Sequence, residues 1–234
     1  MTMHYRETSP PHLHAQARPL ATPLSTSAAA STAPLYRSFG KRALDLILCI
    51  LGAPFALLLV GVLALLVARD GGKPFYSQLR VGQHGRTYRM WKLRSMVPDA
   101  DQKLEAHLAQ NPAARAEWDK DQKLKSDPRV TPLGAFLRRA SIDELPQLWN
   151  VFKGDMSLVG PRPMMVDQQL LYPGRDYYDL RPGITGSWQV SHRNESSFAE
   201  RAVFDTEYNR KVSFGEDLRI LTATVRVVLK ATGY

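Results

Sequence analysis

The chain has 234 residues, 31 Lys and Arg against 22 Asp and Glu, and a formal charge of +9. That length allows one ordinary domain with appendages and excludes two full ones, while the charge favours phosphates, nucleic acid or an anionic membrane face without choosing among them. The single cysteine, Cys49, sits in an apolar run, which excludes a disulfide framework and a cysteine zinc site within the chain and fits a cytoplasmic catalytic part.

From Met1 to about Pro34 the chain is rich in Pro, Ser, Thr and Ala and lacks apolar periodicity. Such a segment cannot bury enough surface to offset its ordering entropy, so residues 1–34 are predicted to be a disordered tail. His4, His12 and His14 carry metal-ligating groups, but a solvated polar tail accounts for them and no ligand role is assigned. The first apolar run starts too late for a secretory signal, so no cleavage is expected.

That run, Ala43 to Ala68, reads ALDLILCILGAPFALLLVGVLALLVA. At about 1.5 Å per residue, a straight helix of this length would cover a hydrocarbon core of roughly 30 Å. Arg37, Lys41 and Arg42 precede it and Arg69 and Lys73 follow it, so the positive-inside bias draws both ends to the cytoplasm. Pro54, with Gly52 nearby, falls near the middle, where proline removes a backbone hydrogen bond and clashes with the preceding turn. A re-entrant helix-break-helix over residues 35–72, entering and leaving by one face, satisfies both features. Asp45 lies inside the apolar boundary, where an ionised carboxylate must be paired or held at the interface. Lys41, one turn earlier, is one expected partner; a place in the headgroup layer is the equal alternative.

Residues 73–234 form the expected catalytic domain. Lys73 to Met96 contains aromatic-rich, imperfectly alternating stretches around Gly82 and Gly85, which predicts a β-hairpin with an irregular strand. Asp99 to about Lys125, with spaced Leu104, Leu108, Trp118 and Leu124, reads as amphipathic helix broken near Asn111-Pro112 and followed by the loop signal Ser126-Asp127-Pro128. Helical patterning returns from Leu133 to Phe152. Gly154 to Pro163 reads as a loop from its Gly and Pro content, and a last helix is expected from about Asp217 to Ala231. The fold class is therefore α+β, mainly helical: a monotopic membrane protein with a small cytoplasmic catalytic domain containing a short β-hairpin.

The most informative stretch is LRRASIDELPQLWN, Leu137 to Asn150. Because proline is tolerated only in a helix's first turn, Pro146 predicts a helix start near Asp143 to Leu145. Two carboxylates then stand at a helix N-terminus, where unpaired N–H groups and the dipole favour a carboxylate and phosphate oxygens alike. Arg138 and Arg139, just upstream, add guanidinium forks that match phosphate. By spacing alone, Ser141 to Glu144 also matches a capping box, in which Ser141 caps and Glu144 reaches back. Adjacent helical residues do not face one another, so Asp143 and Glu144 suit different tasks: an aspartate can accept a phosphoryl group covalently, and a glutamate can hold Mg²⁺ together with substrate phosphates. Arginines beside Gly or Pro, at Arg80-Val81-Gly82, Pro161-Arg162-Pro163 and Arg181-Pro182-Gly183, are positioned by loops and together suggest a polyanionic ligand.

At these residues the chain resembles the bacterial sugar transferase family, the monotopic phosphoglycosyl transferases. The resemblance runs from about Lys41 to Tyr234, through Lys41-Arg42 and Asp45, Arg80-Val81-Gly82, Lys92 to Met96, Asp127 to Gly134, Leu137-Arg138, Ser141 to Asn150, Lys153 to Pro163 and Arg181 to Val190. Within the family it is most similar to stand-alone galactose or glucose phosphate transferases of succinoglycan-type exopolysaccharide pathways. The resemblance implies a two-step displacement: Asp143 attacks the β-phosphate of a UDP-sugar, UMP leaves, and undecaprenyl phosphate takes the phosphosugar from the enzyme. It implies Glu144 as the Mg²⁺ ligand and Arg138 as a phosphate contact; Arg80, Lys92, Arg94, Arg162 and Arg181 complete the expected phosphate-binding set. It implies UDP-sugar, undecaprenyl phosphate and membrane lipid as partners, with no nucleic acid, and a place at the bacterial inner membrane facing the cytoplasm. Two residues depart from the pattern. Ala53 precedes Pro54 where serine is frequent, which removes a side-chain hydrogen bond at the expected break, and His192 stands where glycine is common, which concerns the local turn.

UDP-galactose or UDP-glucose is the expected donor, with a UDP-N-acetylhexosamine as the alternative; Thr185 to Asn194 is where the sugar would be read. A membrane-tethered polyanion-binding module is the non-enzymatic alternative and predicts steeply salt-dependent affinity without turnover. A bitopic protein would put the two ends of the apolar run on opposite faces. Phosphate-loop, dinucleotide and H-E-x-x-H motifs are absent from the sequence.

Overall fold

The computed structural model describes residues 34–121, 124–191 and 198–229. The expected tail up to residue 33 with its histidines, the turn at His192, the last part of the sugar-reading segment and the end of the last helix lie outside the described residues.

A π-helical turn, Tyr36–Gly40, leads into α1, Lys41–Ala68. This 28-residue helix is about 42 Å long at 1.5 Å per residue. It is helical throughout, so the break expected at Pro54 is not made. One missing N–H leaves a single backbone bond unmade, whereas a true break in apolar surroundings would orphan several polar groups. Asp45, Cys49, Ala56, Leu63 and Val67 are its buried residues. Their spacing of four, seven, seven and four traces one stripe along the whole helix, while Leu51, Phe55, Leu57, Leu58 and Leu65 on other faces are exposed.

Both ends of that stripe dock on the same folded body. At the first end, Cys49 packs with Tyr88, Met90, Val151 and Met156. Asp45, 2% exposed, accepts from Ser157 Oγ at 3.1 Å and Leu158 N at 2.9 Å. Its hydrogen bonds therefore go to the Ser157-Leu158 segment and not to Lys41, the partner expected for it. Lys41 instead donates to Asp217 at 2.7 Å, where Tyr36 and Tyr208 hydroxyls also donate, each at 2.6 Å. Three donors satisfy the buried Asp217 carboxylate, which one cation alone would leave underbonded. Arg42 donates to the carbonyls of Val151 and Phe152. At the second end, Leu63 and Val67 join Leu93 and Leu137 in another cluster.

The expected hairpin forms from β1, Phe75–Val81, and β2, Thr87–Leu93, antiparallel in a register from Phe75↔Leu93 to Val81↔Thr87. Its turn, Gln83–Gly85, carries positive φ at His84 and Gly85. The predicted amphipathic segment is two helices, α2, Ala100–Gln110, and α3, Pro112–Asp121, separated at Asn111. Leu104, Leu108 and Ala114 pack together, with Trp118 against them.

Helix α4, Pro132–Arg139, starts where Thr131 Oγ1 accepts from Gly134 N at 2.9 Å, a regular Ser/Thr cap with proline in the first turn. Gly134 lies so close to the chain at Ser95 that a Cβ would fall 1.9 Å from its carbonyl oxygen; only glycine admits that approach. A 3₁₀ turn, Ile142–Glu144, precedes α5, Gln147–Lys153. The segment expected as a loop contains a strand, β3, Ser157–Val159, paired in parallel with β4, Gly183–Thr185. That pairing joins residues 26 apart, beyond the reach of local pattern. After β4 come α6, Ser187–Val190, α7, Arg201–Lys211, and α8, Phe214–Leu229. The described residues are α+β and mainly helical, with two small sheets among them.

Candidate active site

The α4–α5 connection builds the centre of the site. Ser141 stands at φ 55° and ψ 22°, a left-handed conformation that non-glycine residues adopt at a cost of about 1–3 kcal/mol. It turns the chain sharply, so that α4 ends and the Ile142–Glu144 turn begins. A capping serine needs an extended backbone; Ser141 makes no side-chain cap, and the capping box expected from spacing is absent. The α-helix starts at Gln147, with Pro146 immediately before it. The two carboxylates therefore lie in a 3₁₀ turn ahead of the helix, which starts later in the chain than the predicted Asp143 to Leu145.

They also converge, against the expectation that neighbours would point apart. Lys92 Nζ lies 2.7 Å from Glu144 Oε1 and 3.8 Å from Asp143 Oδ2. The tighter winding of a 3₁₀ turn and the length of a lysine side chain make this possible. Asn150, fully buried on α5, fixes the relation between turn and strand. Its Oδ1 accepts from Trp91 N at 3.1 Å, and its Nδ2 donates to Arg89 O at 2.7 Å and Asp155 Oδ2 at 3.1 Å. Ile142, beside Asp143, packs on the Leu63–Val67–Leu93–Leu137 cluster, which joins the turn to the apolar helix.

Asp143 is 7% exposed. Burial raises its carboxyl above the ordinary aspartate range and Glu144 adds to that rise, while Lys92 and Arg138 oppose it. The result is a carboxylate poorly solvated yet still facing cations.

From this turn an open cleft extends, lined by Lys92, Glu144, Gln147, Arg80, Arg162 and Gln189 among others. Arg80 donates to Gln78 Oε1 at 2.6 Å and to Pro163 O at 3.3 Å, while its Nε is buried without a partner among the described residues. Of the cations singled out in the sequence, Lys92, Arg80 and Arg162 line the cleft. Arg138 acts on Asp143 and donates to Ser95 Oγ at 2.8 Å. Arg94 is elsewhere: it donates to Asp70 through both Nη atoms and to the carbonyls of Val67, Lys73 and Met96. Those bonds hold the exit of α1 to β2 and occupy the donors a phosphate would need. Arg181 donates to Gly154 O at 3.1 Å and does not line the cleft.

Gln147 and Gln189, 2% and 8% exposed, also line the cleft; Gln189 falls in the segment Thr185 to Asn194 expected to read the sugar, whereas Gln147 has no expected role. A neutral amide in an apolar pattern carries no signal of its own until its neighbours are known. For a metal, the described residues hold no cluster of three or more His, Cys, Asp or Glu. Glu144 lines the cleft, whereas Asp143 stands behind it, 3.8 Å from the Lys92 that both carboxylates share; a donor set of one or two carboxylates fits Mg²⁺, which completes its shell with substrate phosphates, and does not fit a closed zinc cage.

The model of the bacterial sugar transferase family matches residues 36–231. The chain is 48% identical over 197 residues to the UDP-galactose-lipid carrier transferase of Erwinia amylovora, covering 83% of this chain and 41% of that protein. It is 47% identical over 197 residues to the undecaprenyl-phosphate galactose phosphotransferase of Salmonella typhimurium, with the same two coverages. The chain thus spans less than half the length of these two relatives. With the exopolysaccharide production protein ExoY of Rhizobium meliloti it shares 43% identity over 200 residues, covering 82% of this chain and 87% of that protein.

Proposed function

The chain belongs to the bacterial sugar transferase family, and on that premise we propose that it transfers a hexose-1-phosphate from UDP-galactose or UDP-glucose to undecaprenyl phosphate, initiating exopolysaccharide repeat-unit assembly. The observation that carries this reading is the Asp143–Glu144 pair converging on Lys92 at the edge of a guanidinium-lined cleft.

In the first step an Asp143 carboxylate oxygen attacks the donor's β-phosphorus. The bond from that phosphorus to the bridging oxygen breaks, and UMP leaves with the electron pair. In the second step an oxygen of undecaprenyl phosphate attacks the same phosphorus and expels the Asp143 carboxylate, leaving the sugar on a lipid diphosphate. Lys92 offsets the charge of two carboxylates facing a dianionic substrate and keeps Asp143 available as an anion. Glu144 would hold Mg²⁺, which would supply charge neutralisation on the pyrophosphate. Arg80 and Arg162 orient the donor, and Arg138 supports the nucleophile electrostatically.

A monotopic placement at the inner membrane, with the catalytic part facing the cytoplasm, is supported by the docking of both ends of α1 on one body. It is also supported by Trp149, exposed on α5 and stacked at 5.7 Å on the exposed Phe152, since the amphipathic indole of Trp favours the lipid–water boundary. That depth matches a phosphate carried on a lipid tail.

The test is UMP release across a panel of UDP-hexoses and UDP-N-acetylhexosamines, with Mg²⁺ and undecaprenyl phosphate present. Asp143→Asn should abolish release, and unimpaired release by that variant would sink the covalent mechanism. Turnover confined to an N-acetylated donor would replace the hexose assignment.

A further inference from the structure

A third guanidinium group, Arg201, joins Arg80 and Arg162 at the far end of the cleft, and it has no role in the mechanism proposed for the donor. In the β1–β2 register Lys92 pairs with Tyr76 and Arg80 with Tyr88, four positions nearer the turn, or about 13 Å along the strands. At that turn end the Arg162 and Arg201 guanidinium groups both lie over the Trp188 ring, at 5.7 and 4.3 Å from its centroid. Arg201 also lies 4.7 Å from the Phe198 ring centroid. Its Nε, like that of Arg80, is buried without a partner among the described residues. Burial, followed by the charges of Arg162 and Arg80, lowers the Arg201 pKa to about 10. The carboxylate acting against this is Asp205, which burial raises to about 7 and which accepts from Tyr172 Oη at 2.7 Å. Three guanidinium groups therefore crowd together, and among the described residues the carboxylate that acts on Arg201 is the partly ionised Asp205. Such a cluster persists where an anion completes it.

We propose that Arg201, held flat on Trp188, binds the phosphate of the leaving nucleoside monophosphate, together with Arg80 and Arg162. This rests on the transferase reading for the ligand's identity and gives the donor a direction: its sugar-bearing phosphorus faces Asp143 and its nucleotide end faces the arginines. Negative charge grows on that phosphate as the bridging P–O bond breaks, so cations there act on the leaving group. The lipid phosphate has a different approach, because Ile142 beside Asp143 packs on the Leu63–Val67 end of α1. Arg201 instead adjoins the Val81, Met164, Tyr172 and Tyr177 cluster, against which Phe198 and Ala202 pack.

The experiment measures binding of UMP, galactose-1-phosphate and undecaprenyl phosphate to the full chain in detergent at fixed salt. Arg201→Gln should weaken UMP binding about tenfold and change galactose-1-phosphate binding by less than about twofold. Arg201→Lys, which keeps charge and bulk but loses the planar fork, should fall between these values and guards against misfolding. Equal loss of UMP and galactose-1-phosphate, unchanged UMP binding in both variants, or selective loss of undecaprenyl phosphate would each overturn the assignment. Arg201-dependent UMP binding by a wild-type chain that releases no UMP from any UDP-sugar would uphold this site and overturn the transferase reading.

Discussion

If α1 crossed the bilayer, its second end would have to leave the body on which the first end docks. Leu93 and Leu137, 2% and 0% exposed, would then lose Leu63 and Val67 and face water. At about 1.5–3 kcal/mol per side chain, that exposure costs roughly 3–6 kcal/mol. Leu63 and Val67 add little, since lipid is as apolar as a protein core. Detaching the helix exit also frees Arg94 from Val67 O, a hydrogen bond from a charged group that contributes about 1.5–3 kcal/mol, and from Asp70, which is 37% exposed, so that solvent screening limits this ion pair to about 1 kcal/mol or less. The sum approaches the whole stability of an ordinary domain, so a single orientation should dominate. The assay is labelling of Ser38→Cys and Lys73→Cys, each in a Cys49→Ala background, with an impermeant maleimide. Sealed right-side-out and inside-out vesicles should show both positions reactive from the cytoplasmic face alone. Labelling of the two positions from opposite faces would refute the docking of both ends on one body.

With Asp143 as the proposed nucleophile, its raised pKa should place the acid limb of UMP release above the ordinary aspartate range of about 3.9, because rate would be lost as pH falls through the folded-state value. Lys92→Gln removes the leading opposing charge and should move that limb to higher pH, whereas Lys92→Arg should hold it; a limb unmoved by Lys92→Gln in the pH–rate profile would show that Asp143 is not the titrating group. Asp205, raised to about 7, binds a proton in the folded chain that the unfolded chain has released, so its contribution is greatest below about 4 and is lost as pH rises through about 7. The difference of roughly three pKa units sets an upper bound of about 4 kcal/mol, and Asp205→Asn should raise the unfolding midpoint more at pH 8 than at pH 5. An equal gain at both values would remove the buried carboxylate as its cause.

Features with a local cause were legible in the residues. The length of the apolar run, the hairpin around Gly82 and Gly85 and the helix break at Asn111-Pro112 each follow from chain stiffness, proline or glycine within a few positions. The same local logic misled at Ser141, where a capping-box spacing was overridden by a left-handed turn, and at Pro54, where the helix runs on. Arg94 and Arg162 look equivalent in sequence. One has its donors occupied by groups 2 to 27 residues away, and the other faces the cleft.

The sequence by itself determined that this chain carries an apolar helix with basic flanks, an Asp-Glu pair ahead of a proline and a surplus of cations suited to phosphate. Tertiary structure alone decided that Lys92, 52 residues from Glu144, holds both carboxylates, and that Trp188 gathers Arg162 and Arg201 onto one ring. The physical reason is range: propensity and spacing act over a turn or two of chain, whereas the charge balance of a buried site is set by groups that only folding brings within a few ångströms.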